Sequence, residues 1–182
     1  YVGDIGDNNA VRPDITVYRV PEPAVDLAGP PVDLDLPGAE ALVFTYPKGQ
    51  AADAETLLVD PVRGDLCVVA KRLDGLAEVH CAAAPLTSGP LTLATTAEVG
   101  NLATGGSVSP DGRLVAVRTY LDARLWRRDL DMPLASAFAS PDCPLALVIE
   151  MQGESLEFAA DGLGYFTVSE GANPALHAFR RQ

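Results

Sequence analysis

Three observations in this sequence predict an all-β fold: a β-propeller segment of about three to four four-stranded antiparallel blades. The first is a recurring unit of about fifty residues, close to the length of one propeller blade. Aligned on their turns, Pro61, Pro110 and Ala160 coincide, and Glu55, Thr104 and Glu154 each stand six residues before them. The second is that no stretch longer than about ten residues keeps an apolar period of about 3.6, so helices are not expected. The third is that Leu66 to Ala70 and Leu114 to Val117 are apolar on both faces, whereas a sheet with one wet face would alternate. Blades stacked radially cover both faces of each sheet and protect most strand edges.

The elements follow in order. Tyr1 to Ile5 and Asp14 to Val20 read as strands around a polar loop, Gly6 to Pro13, whose Asp, Asn and Gly favour turns. Pro21 to Gly38, rich in proline and acids, reads as an extended surface connection, and Ala41 to Tyr46 as the next strand. The first full repeat takes Glu55 to Val59, Leu66 to Lys71, Ala77 to Ala82 and Leu91 to Val99. The second takes Gly105 to Ser109, Arg113 to Tyr120, Ala123 to Arg127 and, after a link from Met132 to Pro144, Leu145 to Ile149. The third takes Glu154 to Ala159, Leu163 to Ser169 and Ala175 to Arg180, the first two joined by an Asp161-Gly162 turn. The expected count is about fourteen strands in one partial domain, 1–182, the first blade lacking its innermost strand and the last its outermost. Further blades upstream of Tyr1 are the expectation.

Composition narrows the function. Across 182 residues, 13 Lys and Arg stand against 25 Asp and Glu, a formal charge of −12 that repels a phosphate backbone or an anionic membrane over most of the surface. Nucleic acid is therefore not an expected partner. No apolar run approaches the roughly 20 residues that span a bilayer. The cysteines Cys67, Cys81 and Cys143 lack zinc spacing. A hairpin pairing Lys71 with Ala77 sets Cys67 opposite Cys81, which leaves two readings open, a disulfide or two buried thiols.

The residues also carry a resemblance. The run Gly3-Asp4-Ile5-Gly6-Asp7-Asn8, followed by Arg12 and Val17 to Pro23, then Asp53 to Pro61, Ser109 to Arg113 with Val117 to Tyr120, and Gln152 to Ser155, resembles a family of uncharacterised bacterial β-propeller proteins, WD-repeat-like in description. More loosely, Glu154 to Glu170 is similar to the Glu, Asp-Gly, Glu blade pattern of phytase-like and esterase-like propellers. The first resemblance implies an extracytoplasmic bacterial propeller with further blades; the second implies acidic residues around the channel that bind calcium.

In a propeller, the start of each innermost strand and the end of the next meet at one rim of the channel. That rim is expected to collect Glu55, Thr104 and Glu154 from strand starts and Asp4, Lys71, Arg118, Tyr120 and Glu170 from strand ends, with Asp7, Asn8, Arg12, Asp53 and Gln152 adjacent. Carboxylates from several blades suit a hard cation such as calcium, so Asp4, Asp7, Glu55, Glu154 and Glu170 are the candidate metal ligands. The candidate ligand-binding residues are Asn8, Arg12, Thr104, Tyr120 and Gln152. Should the rim be catalytic, a metal-dependent hydrolase is the expected class, with Lys71 and Arg118 holding a small anionic ligand or ester. A serine triad is not expected, because there is no Gly-x-Ser-x-Gly turn and His80 and His177 fall in third strands. The alternative is a non-catalytic scaffold whose loops meet a protein or glycan.

Overall fold

The computed structural model describes residues 1–26 and 28–180. Its strands are β1 (Val2–Asp4), β2 (Ile15–Arg19), β3 (Glu40–Thr45), β4 (Ala54–Val59), β5 (Leu66–Ala70), β6 (Leu76–Ala82), β7 (Gly89–Pro90) and β8 (Thr92–Glu98), then β9 (Ala103–Val108), β10 (Leu114–Thr119), β11 (Ala123–Arg127), β12 (Asp142–Pro144), β13 (Gly153–Phe158), β14 (Gly164–Ser169) and β15 (Leu176–Arg180). They form four separate sheets in chain order: β1-β2-β3 with β7 added at its edge, β4-β5-β6-β8, β9-β10-β11-β12, and β13-β14-β15. Within each sheet consecutive strands run antiparallel, so each sheet is one repeat. The four sheets are blades of a β-propeller. Strands β4, β9 and β13 are its inner strands and stand side by side.

Three apolar layers hold the blades together. Ile15, Val17, Leu42 and Phe44 of the first sheet meet Ala54, Leu66 and Val68 of the second. Val69, Val79 and Val99 meet Val115, Val117 and Trp126 of the third. Ala116 and Ala123 meet Leu156, Phe158 and Tyr165 of the fourth. This is why β5, with all five residues buried, shows no alternation: one face serves the first layer and the other the second. Each fully buried Val or Leu here contributes about 1.5–3 kcal/mol relative to exposure.

The turns are built by short side chains. Asp161 Oδ1 accepts from the Leu163 amide at 2.9 Å, and Asp111 Oδ1 accepts from the Arg113 amide at 3.1 Å and from Ser109 Oγ at 2.6 Å. These bonds within the turn set the register of the hairpins that follow. Inner strands approach closely because β9 carries Gly105: a Cβ there would lie 2.4 Å from the Glu154 carbonyl oxygen of β13.

Three departures from expectation have local causes. The outer strand of the third sheet is Asp142–Pro144, not Leu145 to Ile149. Leu145 and Leu147 instead turn inward against the layer formed by Leu156, Phe158 and Tyr165, and Tyr165 Oη donates to the Ala146 carbonyl at 2.6 Å. The link expected from Met132 to Pro144 contains a 3-10 turn, Leu134–Ala139, too short to show a helical period, which buries Leu134, Ala135 and Ala137. Strand β7 is an added two-residue piece that pairs in parallel with β3. The first sheet contains no counterpart of β4 among the described residues, and β1 pairs with β2 as β5 pairs with β6.

Cys67 and Cys81 stand directly opposite, Cα atoms 4.1 Å apart, and are joined by a disulfide; Cys143 is the free cysteine among the described residues. Closing a loop of this length stabilises a chain by about 3 kcal/mol in the chain-entropy account. Folded protein is therefore expected to take up one equivalent of an alkylating reagent, at Cys143, and to react at all three cysteines only after reduction and unfolding. Mass spectrometry of the two samples reads this directly, and a second reactive thiol before reduction would contradict it.

Candidate functional site

The register of the inner strands carries an irregularity at the same place in three blades. Ala54 pairs with Ala70 and Thr56 with Val69, which leaves Glu55 as an extra residue. Thr104 is passed over between Ala103 and Gly105, and Glu154 between Gly153 and Ser155. Each is the extra residue of a β-bulge, a device that re-aims a side chain at the end of a strand. All three line one cavity of about 320 Å³ together with Gly3, Ile5, Gly6, Ala54 and Leu57. The offset that aligned these residues in the sequence thus marks a ring of bulges at one mouth of the channel.

A chain of polar contacts joins three blades across this mouth. Lys71 Nζ donates to both Glu55 carboxylate oxygens at 2.8 Å and to Tyr120 Oη at 3.1 Å, and its ammonium lies 5.1 Å from the centre of the Tyr120 ring. Tyr120 Oη in turn donates to Glu154 Oε1 at 3.2 Å. Thr104 Oγ1 donates to the Gly153 carbonyl at 2.8 Å. Two carboxylates and one ammonium leave the network one negative charge in excess.

The titration behaviour follows first from burial and then from these contacts. Burial pushes the Glu55 carboxyl up; the Lys71 ammonium opposes this, and the negative charges of Asp53 and Glu154 add to it, so the net direction is upward. Burial pulls the Lys71 ammonium down, but its bonds to Glu55 and Tyr120 outweigh this and hold it above the ordinary lysine value. Burial opposes the charged form of both partners, and only at Lys71 do the bonds to its partners outweigh it.

The remaining sequence-predicted residues lie elsewhere. Arg12 pairs with Asp4 at 2.7 Å, donates to the Gly6 carbonyl at 3.1 Å, and offers its backbone amide to Asp7 Oδ2 at 2.6 Å. The Asp7 amide donates to Asp53 Oδ1 at 2.8 Å, so Asp7 organises the Gly6-to-Arg12 loop, and Asn8 is exposed on it. Gln152 Nε2 donates to Glu170 Oε2 at 3.3 Å at an exposed edge. Arg118 is fully buried and does not line the mouth cavity: its Nη1 donates to Glu150 Oε2 at 3.3 Å and to the Ser155 carbonyl at 3.1 Å, joining the third blade to the fourth. Among the described residues no group of three or more His, Cys, Asp or Glu side chains is gathered closely enough to hold a metal ion.

No family model matches the sequence, and no curated protein matches it. Among solved structures the chain is similar to hydrazine synthase from Kuenenia stuttgartiensis, with 12% identity, a TM-score of 0.50, and coverage of 80% of this chain and 37% of that one. The likeness is one of fold alone. A second similar structure, the Dos1 propeller, has 8% identity and a TM-score of 0.41, covering 86% of this chain and 38% of that one. The chain spans less than two fifths of either protein's length.

Sequence reasoning missed the buried ion pair between Asp60 and Arg128, whose side chains are 0% exposed and 2.5 Å apart. Asp60 was visible only as the residue before Pro61 in a turn, and Arg128 as the residue after β11. Their meeting is a contact between blades, with no local signal. No helix among the described residues is long and apolar enough to cross a membrane.

Proposed function

We propose that this protein is a ligand-binding propeller whose channel mouth takes a hard divalent cation of the calcium kind, alone or carrying a small anionic ligand. The observation that supports it is the ring of bulges, which turns Glu55, Thr104 and Glu154 from three blades onto one cavity. Glu55 and Glu154 are the carboxylate ligands in this reading, Thr104 and the backbone beside Gly3 and Gly6 border the ion, and Lys71 faces the anionic part of a ligand. Oxygen donors of this kind suit calcium, which takes six to eight of them, and the excess negative charge of the network is what a cation offsets. Asp4, Asp7 and Glu170 do not line this cavity and take an outer role. The Cys67–Cys81 disulfide supports an extracytoplasmic, oxidising compartment, where calcium is abundant and such bonds persist.

The test is thermal melting with calcium chloride, on the protein and on Glu154→Gln. Binding to the folded state alone stabilises by about 2.7 kcal/mol at about a hundred times the dissociation constant, so the melting temperature is expected to rise with calcium and to stay flat in the variant. The calcium effect should weaken as pH falls through the Glu55 midpoint, which lies above the ordinary glutamate value because of burial and like charge. A melting temperature indifferent to millimolar calcium in the unaltered protein would sink the reading.

A further inference from the structure

Two turns at the mouth end of the second and third blades present the same pair of residues, Leu73-Asp74 after β5 and Leu121-Asp122 after β10. In each the carboxylate folds back to hold the turn, Asp74 Oδ1 accepting from the Leu76 amide at 3.2 Å and Asp122 Oδ1 from Thr119 Oγ1 at 2.7 Å. The leucine is left to solvent: Leu73 is 77% exposed and Leu121 72%. Both blades have another blade packed on each face, so this exposure belongs to the turns themselves. The connector from β8 to β9 ties the turns together. The Val99 amide donates to the Gly75 carbonyl at 3.1 Å and the Leu102 amide to the Arg72 carbonyl at 2.8 Å, while a Cβ on Gly100 would fall 2.9 Å from Asp122 Oδ1. Along this connector runs a groove of about 440 Å³, lined by Asp74, Leu76, Glu98, Asn101 and Arg124. Leu73 precedes one lining residue, and Leu121 precedes the aspartate that touches Gly100, so both leucines stand beside the groove.

We propose that this groove and its two leucines dock a segment of a partner protein that carries a lysine or arginine between aliphatic residues. Charge decides for the basic residue. The cations around the groove are already paired: Arg72 with Asp74 at 3.0 Å, Arg124 with Asp142 at 3.4 Å and Lys71 with Glu55 at 2.8 Å. Glu98 and Asp122 have no ion-pair partner among the described residues, and Glu98 is exposed, so the groove keeps an excess of negative charge. A basic side chain of the partner complements that excess, and such complementarity sets partner choice and speeds encounter. The leucines decide for a protein segment over a free amine or metal ion, because an exposed aliphatic side chain gains from apolar surface and nothing from a hydrated ion. An anionic membrane is repelled by the same charges. The groove shares no lining residue with the mouth cavity, so docking requires no cation bound there.

The experiment selects binders from a displayed random peptide library against the folded protein in EDTA, which keeps its outcome separate from that of the calcium titration. Each synthetic peptide is then measured by isothermal titration calorimetry. Peptides with a basic residue between aliphatic ones are expected to be enriched. Their affinity should fall about tenfold or more in the double variant Leu73→Ser, Leu121→Ser, at unchanged melting temperature because both side chains are exposed. Leu163→Ser is the control: it lies in the turn between β13 and β14, at the end of the blades away from the mouth, is 54% exposed, and should leave the affinity unchanged. Glu98→Lys should turn the selection toward acidic peptides. In NMR, the amide signals of Gly75, Gly100 and Asn101 should shift on binding, since these residues line the groove. An empty selection, enrichment of acidic or wholly apolar peptides by the unaltered protein, binding indifferent to the double variant, or protein that sediments with phosphatidylcholine vesicles and binds no peptide would overturn the proposal.

Discussion

Arg128→Met is expected to lower the unfolding free energy by about 3–5 kcal/mol, because it leaves the Asp60 carboxylate buried without its counter-charge. Both side chains are 0% exposed, and the guanidinium also donates to the Met132 carbonyl at 3.0 Å and to the Gly112 carbonyl at 3.3 Å. Burial pushes the Asp60 carboxyl up, but Arg128 and the amides of Val62 and Arg63 outweigh it and hold the group below the ordinary aspartate value. A carboxyl depressed in the folded state adds stability that is complete above the unfolded value and disappears as pH falls through the folded one. The cost of the substitution should therefore be large at neutral pH and shrink in acid. Urea unfolding at two pH values reads both. Asp60→Leu combined with Arg128→Met should recover much of the loss, since replacing both partners of a buried pair by apolar groups is far cheaper than removing one. An additive double variant would show that the two do not meet.

Gly153→Ala is the second large effect. A Cβ at this position would fall 1.8 Å from Arg118 Nη2 and 2.6 Å from its Cζ, so the guanidinium must leave its place. It has nowhere to go without cost: Arg118 is 0% exposed, bonded to Glu150 and to the Ser155 carbonyl. Overpacking and a broken buried ion pair together are expected to cost about 3 kcal/mol or more, read as a lower denaturant midpoint at unchanged slope. Gly6→Ala is the control, because nothing lies within 4 Å of the added carbon. Its stability should stay within about 0.5 kcal/mol of the parent.

Much of the fold was legible because it is written locally. Runs of Val, Leu and Thr between Asp-Gly and Pro turns mark strands wherever they occur, and equal spacing of those turns marks blades. The same spacing found Glu55, Thr104 and Glu154, since an identical bulge occupies the same place in each repeat. What was not legible depends on neighbours distant in the chain. Arg118 lies in β10 where the second blade has Val69 in β5, a position that faces the neighbouring blade rather than the mouth. Leu145 to Ile149 has a strand's composition, yet the apolar surface of the fourth blade draws Leu145 and Leu147 inward. The hairpin register put Cys67 and Cys81 opposite each other but left the bond between them open.

That residues from separate repeats converge on one mouth is measured most directly through the titration of Glu55. Carbon-detected NMR of the glutamate carboxyls should place its midpoint above the ordinary glutamate value, because the group is buried beside Asp53 and Glu154. In Glu154→Gln, which removes a negative charge from the same cavity, the midpoint of Glu55 should fall. A Glu55 midpoint that does not respond to Glu154→Gln would mean that the two carboxylates are not neighbours, and that the blades do not surround a common channel.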